Sequence, residues 1–165
     1  MPPPFFLTAA RYAWTGQELV GDSGDYAGKA LALSADGLVV AMGATDADPN
    51  GVNNAGRVIV REWSAQAGEW VPRAIVDGDG TSDGIGEAIA LSADGAVLAI
   101  GETKHDTPHT SAGRVRVFDW NDAQYVRRVD PSQELYGDAQ SDGAGFSVAL
   151  SADGAIVAVG ISGYN

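Results

Sequence analysis

The sequence predicts an all-β chain built from tandem four-stranded antiparallel units, and three observations carry that reading. Leu-Ser-Ala-Asp-Gly occurs three times, at 33–37, 91–95 and 150–154, so that its copies stand 58 and 59 residues apart. Each copy is followed by a short apolar run ending in Gly, at Gly43, Gly101 and Gly160. Between copies the same order of strand-like and turn-like segments returns, which is the mark of a tandem array.

The units read as follows. Residues 28–34 alternate and are β-like, Ala35-Asp36-Gly37 is a tight turn, and 38–44 is nearly all apolar, as in a strand buried on both faces. A long loop rich in Asp, Asn and Gly spans 45–56, a third strand 57–64, a turn 65–68 and a fourth strand 69–76. The second unit repeats this with strands at 86–92 and 96–100, a long loop at 102–113, a third strand at 114–120 and a fourth beginning at 124–129. The third unit starts at Gly145 and stops after its second strand. Residues 11–19 read as the last strand of an incomplete unit, because Gln17-Glu18-Leu19 before Gly21-Asp22 matches Gln133-Glu134-Leu135 before Gly137-Asp138. The expected organisation is a disordered lead-in at 1–9, whose three prolines disfavour a central strand, and an array over 10–165. Within the array, 10–20 closes a preceding unit, 28–77 and 86–135 are full units, and 145–165 holds two further strands. Ile59, Arg61 and Trp63 share one face of a third strand and Val58 and Val60 the other, so both faces carry apolar groups. Short four-stranded units in tandem are the pattern of β-propeller blades, and the sequence therefore predicts a partial β-propeller with a period of about 58 residues. A period of roughly 40–45 residues, as in WD40 blades, is disfavoured.

The repeats resemble the FG-GAP family, the blades of integrin α-chain propellers and of many microbial and algal surface proteins. Ala27-Gly28, Ile85-Gly86 and Ala144-Gly145 stand at the family's opening Phe-Gly, and Ser147-Val148-Ala149 keeps the next element. Gly43-Ala44-Thr45, Gly101-Glu102-Thr103 and Gly160-Ile161-Ser162 stand at Gly-Ala-Pro, with only the Gly kept throughout. Ala55-Gly56-Arg57-Val58 and Ala112-Gly113-Arg114-Val115 resemble the family's third strand, and the likeness covers about residues 21–160. It implies a non-enzymatic binding or adhesion scaffold, extracellular or at a cell surface, contacting protein or glycan through its loops. The remaining blades of a longer parent chain are the other implied partner. The alternative is the propeller portion of a hydrolase or lyase whose active site lies elsewhere. Family members often hold calcium between the first two strands. Here each copy of that turn has one carboxylate (Asp36, Asp94, Asp153), too few for a cation that takes six to eight oxygens.

Composition narrows the partners. The net charge of −12 argues against nucleic acid and anionic membrane surfaces, which need a basic face. No run approaches the ~20 apolar residues of a membrane span, and the N-terminus lacks the pattern of a signal peptide. The chain contains no cysteine, so thiolate metal sites and a cysteine nucleophile are excluded.

Candidate sites lie in loops. An acidic pair recurs before each unit (Asp22 and Asp25, Asp79 and Asp83, Asp138 and Asp142), and Asp77 adds a third carboxylate to the middle copy. Asp77, Asp79 and Asp83 are the candidate calcium ligands, set against the commoner role of Asp as a turn residue. Asp46, Asp48, Asn50, Asn53 and Asn54 offer a second oxygen cluster, and His105, His109 and Asp106 a weaker transition-metal set. No cofactor is expected beyond such a Ca²⁺. No Gly-x-Ser-x-Gly, His-Glu-x-x-His or phosphate-cradling glycine loop occurs, and no catalytic residue is assigned. Trp14, Trp63, Trp70, Trp120 and Tyr125 fall on strands at matched places, and packing is the expected role, with sugar stacking as the alternative.

Overall fold

The chain is all-β. The computed structural model describes residues 17–128 and 135–163. Among them are eleven strands and a single 3-10 turn at Pro49–Gly51, with no α-helix. The lead-in at 1–9 and the first part of the strand expected at 11–19 lie outside the described residues, and 17–20 is not a strand.

The first sheet is formed by β1 (Ala27–Leu33), β2 (Val39–Ala44), β3 (Arg57–Ser64) and β4 (Glu69–Asp77), antiparallel and in sequence order. The second holds β5 (Ala88–Leu91), β6 (Val97–Glu102), β7 (Arg114–Trp120) and β8 (Tyr125–Arg127), with β9 (Leu135–Tyr136) also on β7. The third pairs β10 (Ala144–Leu150) with β11 (Val157–Ile161). The expected fourth strand of the second unit is thus broken. Trp63 pairs with Trp70 and Val58 with Val76 in the first sheet, while Trp120 pairs with Tyr125 and Val115 with Leu135 in the second. The step from the inner to the outer partner on the returning strand is four residues longer in the second unit, from Tyr125 to Leu135 against Trp70 to Val76, and residues 129–134 of it lie outside the described residues.

The Leu-Ser-Ala-Asp-Gly turn is built the same way each time. Asp36 Oδ1 accepts from the Ser34 hydroxyl (2.6 Å) and the Leu38 N–H (2.9 Å), and Ser34 Oγ accepts from the Val39 N–H (2.9 Å). Ser92 with Asp94 and Ser151 with Asp153 repeat the pattern. These bonds, the serine hydroxyl first, hold the Asp36, Asp94 and Asp153 carboxyls below the ordinary range. The motif's Asp is a turn residue, and its Ser links the turn to the second strand.

Sheet packs on sheet through the matched residues. Val39, Ala41, Val58 and Val60 of the first sheet join Ile85, Ile89, Leu98, Ile100 and Phe118 in one core. The turns form a ladder between units: Ala35 N–H donates to Ala93 O and Ala93 N–H to Ala152 O, both at 2.8 Å. A Cβ on Gly43 would stand 2.1 Å from Gly86 O, and one on Gly101 2.0 Å from Gly145 O. Gly43 and Gly101 have no room for a side chain because the next unit's backbone occupies that space. Gly28, Gly86 and Gly145 take φ of +92°, +97° and +91°, a region that disfavours any side chain.

An arginine adds a clamp that the sequence reading missed. Arg73 of β4 pairs with Glu62 (3.1 Å), reaches Gly95 O in the next unit's turn (3.5 Å), and lies 4.1 Å over the Trp120 ring. Its repeat partner Arg128 pairs with Asp119 (2.7 Å) and reaches Gly154 O (3.3 Å). The signal was present in the sequence as an Arg at the same distance from Trp70 and Tyr125.

Candidate functional site

Antiparallel order sends the Ser-Ala-Asp-Gly turns to one end and gathers the long loops and inter-unit loops at the other. At that second end each long loop is laced to the following inter-unit loop. Ser82, Gly84 and Ile85 N–H donate to Asn53, Asn54 and Ala55 carbonyls, and Ser141, Gly143 and Ala144 N–H donate to Thr110, Ser111 and Ala112 carbonyls. The two long loops look unrelated in sequence, yet they share a clasp. Asp48 Oδ1 accepts from the Asn54 N–H (2.6 Å) and Asp106 Oδ1 from the Ser111 N–H (2.8 Å). Asn54 and Ser111 both adopt positive φ, +47° and +51°.

Asp48 and Asp106 are therefore loop-closing groups, and Asp46 accepts from the Thr45 hydroxyl (3.0 Å). His105 turns away from Asp106 and His109: its Nδ1 lies 2.9 Å from Asp83 Oδ2, and its ring lies 6.0 Å from Tyr136. The trio Asp77, Asp79 and Asp83 is split. Asp77 bonds Arg57 Nε at 2.6 Å. Asp79 and Asp83 both face Arg114, the former in direct contact and the latter at 3.9 Å. Arg116 Nη1 lies 3.5 Å from Asp79. A guanidinium thus stands between the two carboxylates where a cation would bind.

The residues that converge are Asp83, Glu102 and His105, whose ligand atoms lie within 4.8 Å of one another. Glu102 is completely buried and takes Nε donors from both Arg114 (2.7 Å) and Arg116. Each buried arginine is paired with the buried Glu102 carboxylate and with Asp79, which is the condition for burying them. Burial works to raise the Asp79 carboxyl, but the fields of Arg116 and Arg114 outweigh it and hold the group low. Burial works to lower Arg114, and the Glu102 carboxylate overcomes it, so the guanidinium is held more firmly protonated than usual. Part of the network is repeated: Arg57 stands where Arg114 does and feels Asp25 and Asp22. Glu102, His105 and Arg116 break the repeat, replacing Ala44, Ala47 and Ile59. Sequence reasoning set His105 with the wrong partners and passed over Glu102, since nothing along the chain shows that 83, 102 and 116 meet.

Trp14 lies outside the described residues, and the other four strand aromatics pack in pairs. Trp63 and Trp70 meet edge to face at 5.8 Å, and Trp120 and Tyr125 at 5.1 Å. The Tyr125 hydroxyl donates to Gly95 O, and burial pushes its pKa up to about 12.

No family model matches the chain. No curated protein matches it. Among solved structures, the chain is similar to a hydrazine synthase of Kuenenia stuttgartiensis, at 17% identity and a TM-score of 0.44, covering 78% of this chain and 28% of that one. It is also similar to a periplasmic gluconolactonase of Pseudomonas aeruginosa, at 15% identity and a TM-score of 0.43, covering 79% of this chain and 35% of that one. The chain thus spans about a third or less of the length of these structures.

Proposed function

We propose that the chain is a section of a β-propeller of the FG-GAP type and serves as a non-enzymatic interaction scaffold, with protein or glycan partners meeting its long-loop end. The observation that carries this reading is how the polar groups of that end are used. The clustered carboxylates, His105 and the arginines are tied into ion pairs and loop clasps. Asp46, Asn50, Asn53, Lys104 and His109 remain exposed around them on two laced loops. A rigid frame with an exposed, variable rim suits recognition. The alternative, part of a hydrolase or lyase, draws on the repeat-breaking Glu102, His105 and Arg116. The burial of Glu102 between two arginines weighs against it.

The experiment is interferometry of the chain over immobilised glycans and matrix proteins, beside a variant with those five rim residues changed to Ala. Saturable binding that the variant loses supports the scaffold. Turnover of lactone, ester or glycosidic substrates that Glu102→Gln abolishes would replace it with the enzyme. A calcium arm accompanies the screen: guanidinium-filled carboxylates predict no thermal stabilisation at millimolar Ca²⁺, and only a rise that Asp77→Asn and Asp79→Asn each abolish would assign the ion to Asp77, Asp79 and Asp83.

A further inference from the structure

The charged network between the first two units is more than the fold requires. The first unit carries Ala44 and Ile59 where the second carries Glu102 and Arg116. Buried charge that breaks a repeat, at a cost in desolvation, is where function is to be sought. Arg114 and Arg116 are each 5% exposed, whereas the Asp79 side chain that faces them is 54% exposed. A side-chain rotation alone takes Asp79 off the arginines and into solvent. Asp79 also fills its place incompletely. Its Oδ1 meets Arg114 Nη2, while its Oδ2 lies 3.5 Å from Arg116 Nη1. Arg116 Nη2, at the same end of the guanidinium, is buried with no hydrogen-bond partner. A buried charged donor left unpaired is costly and calls for an explanation. The end of a guanidinium is a fork whose two nitrogens take the two oxygens of a single carboxylate. Asp79, held on Arg114, reaches only one prong of it.

We propose that Arg114 and Arg116 form a receptor for a glutamate side chain of a protein partner, which displaces Asp79 and bridges Arg116 Nη1 and Nη2. This rests on the reading of the long-loop end as a recognition surface and names the chemistry of its partner. Exchanging one carboxylate for another leaves the charge beside the arginines unchanged, and Glu102 stays on both Nε atoms. Asp83 is engaged by His105 and leaves the fork open. The depth of the two arginines selects the partner. A carboxylate on a slender methylene stem reaches them, whereas that of an acidic sugar is borne directly on its ring. The chain's charge of −12 repels acidic segments, so the glutamate stands among neutral or basic residues.

Calorimetric titration of the whole chain tests this, with capped glycine peptides carrying a central Glu or a central Gln as probes. Asp79→Ala empties the place, and circular dichroism checks that the variant keeps the wild-type spectrum, with Asp79→Asn used where it does not. The emptied variant is expected to bind the Glu peptide and not the Gln peptide. Wild type is expected to bind the Glu peptide about tenfold more weakly or worse, because its own Asp79 competes at high effective concentration. Adding Arg116→Ile, the side chain that stands at position 59, is expected to abolish the binding. Glucuronate, a carboxylate on a sugar ring, is expected not to compete. An emptied variant that ignores the Glu peptide overturns the proposal, as does binding that survives Arg116→Ile or that wild type shows equally. Competition by glucuronate overturns the choice of a protein partner. None of these variants alters the five rim residues, so this site fails separately from the scaffold reading.

Discussion

Replacing Gly101 by Ala tests the close approach between units. The added Cβ would stand 2.0 Å from the carbonyl oxygen of Gly145 and 2.9 Å from its carbon. Ordinary contact lies at about 3.5 Å, so the shortfall is roughly 1.5 Å. The obstructing atoms are backbone of the next sheet, so a rotamer change does not relieve the clash. Overpacking of this kind costs about 1–3 kcal/mol, and a backbone obstacle puts it near the upper end. Ala gains roughly 0.5–1 kcal/mol over Gly in a strand, which leaves a net loss of about 2 kcal/mol. For a chain of this size that lowers Tm by about 4–8 °C. The repeat supplies the control. At Gly160 the new Cβ meets Ser147 Oγ at 2.2 Å, a side-chain tip that can rotate away. Differential scanning calorimetry should therefore show a clear loss for Gly101→Ala and a change under about 1 kcal/mol for Gly160→Ala. Equal shifts would refute the close-approach account of the recurrent glycine.

Three further outcomes follow from the same contacts. The lowered carboxyls of Asp36, Asp94 and Asp153 stabilise the fold fully above the unfolded pKa of about 4, and that contribution disappears as pH falls through their folded values. Thermal melts from pH 7 to 2 should show an acid loss that is shallower in the triple Asp→Asn variant. Arg73→Ala removes the clamp and its ring contact, at an expected cost of about 1–3 kcal/mol with a red shift of Trp fluorescence as Trp120 loses its cover. Arg73→Lys should recover little of it, since an ammonium cannot stack while reaching Glu62 and Gly95 together. Glu102→Ala leaves Arg114 and Arg116 buried without their shared carboxylate, and a loss of about 3–5 kcal/mol is expected in urea denaturation. A loss below about 1 kcal/mol would mean that water compensates the two arginines.

The β class and the positions of most described strands were legible along the chain, because Leu-Ser-Ala-Asp-Gly and the apolar runs are local signals written three times. The sequence by itself also determined that the motif's Asp is a turn residue, since its bonds go to groups within two residues. Tertiary structure decided what depends on contacts across units. It split the fourth strand of the second unit into β8 and β9, carried Arg73 onto the next turn and recognised one clasp in two loops of different sequence. It also divided the acidic loop between Arg57 and Arg114, and it assembled Asp83, Glu102 and His105 from three segments. The physical reason is range. A turn or an alternating strand is specified by neighbours along the chain, whereas a charge finds its partner only after strands far apart in sequence are laid side by side.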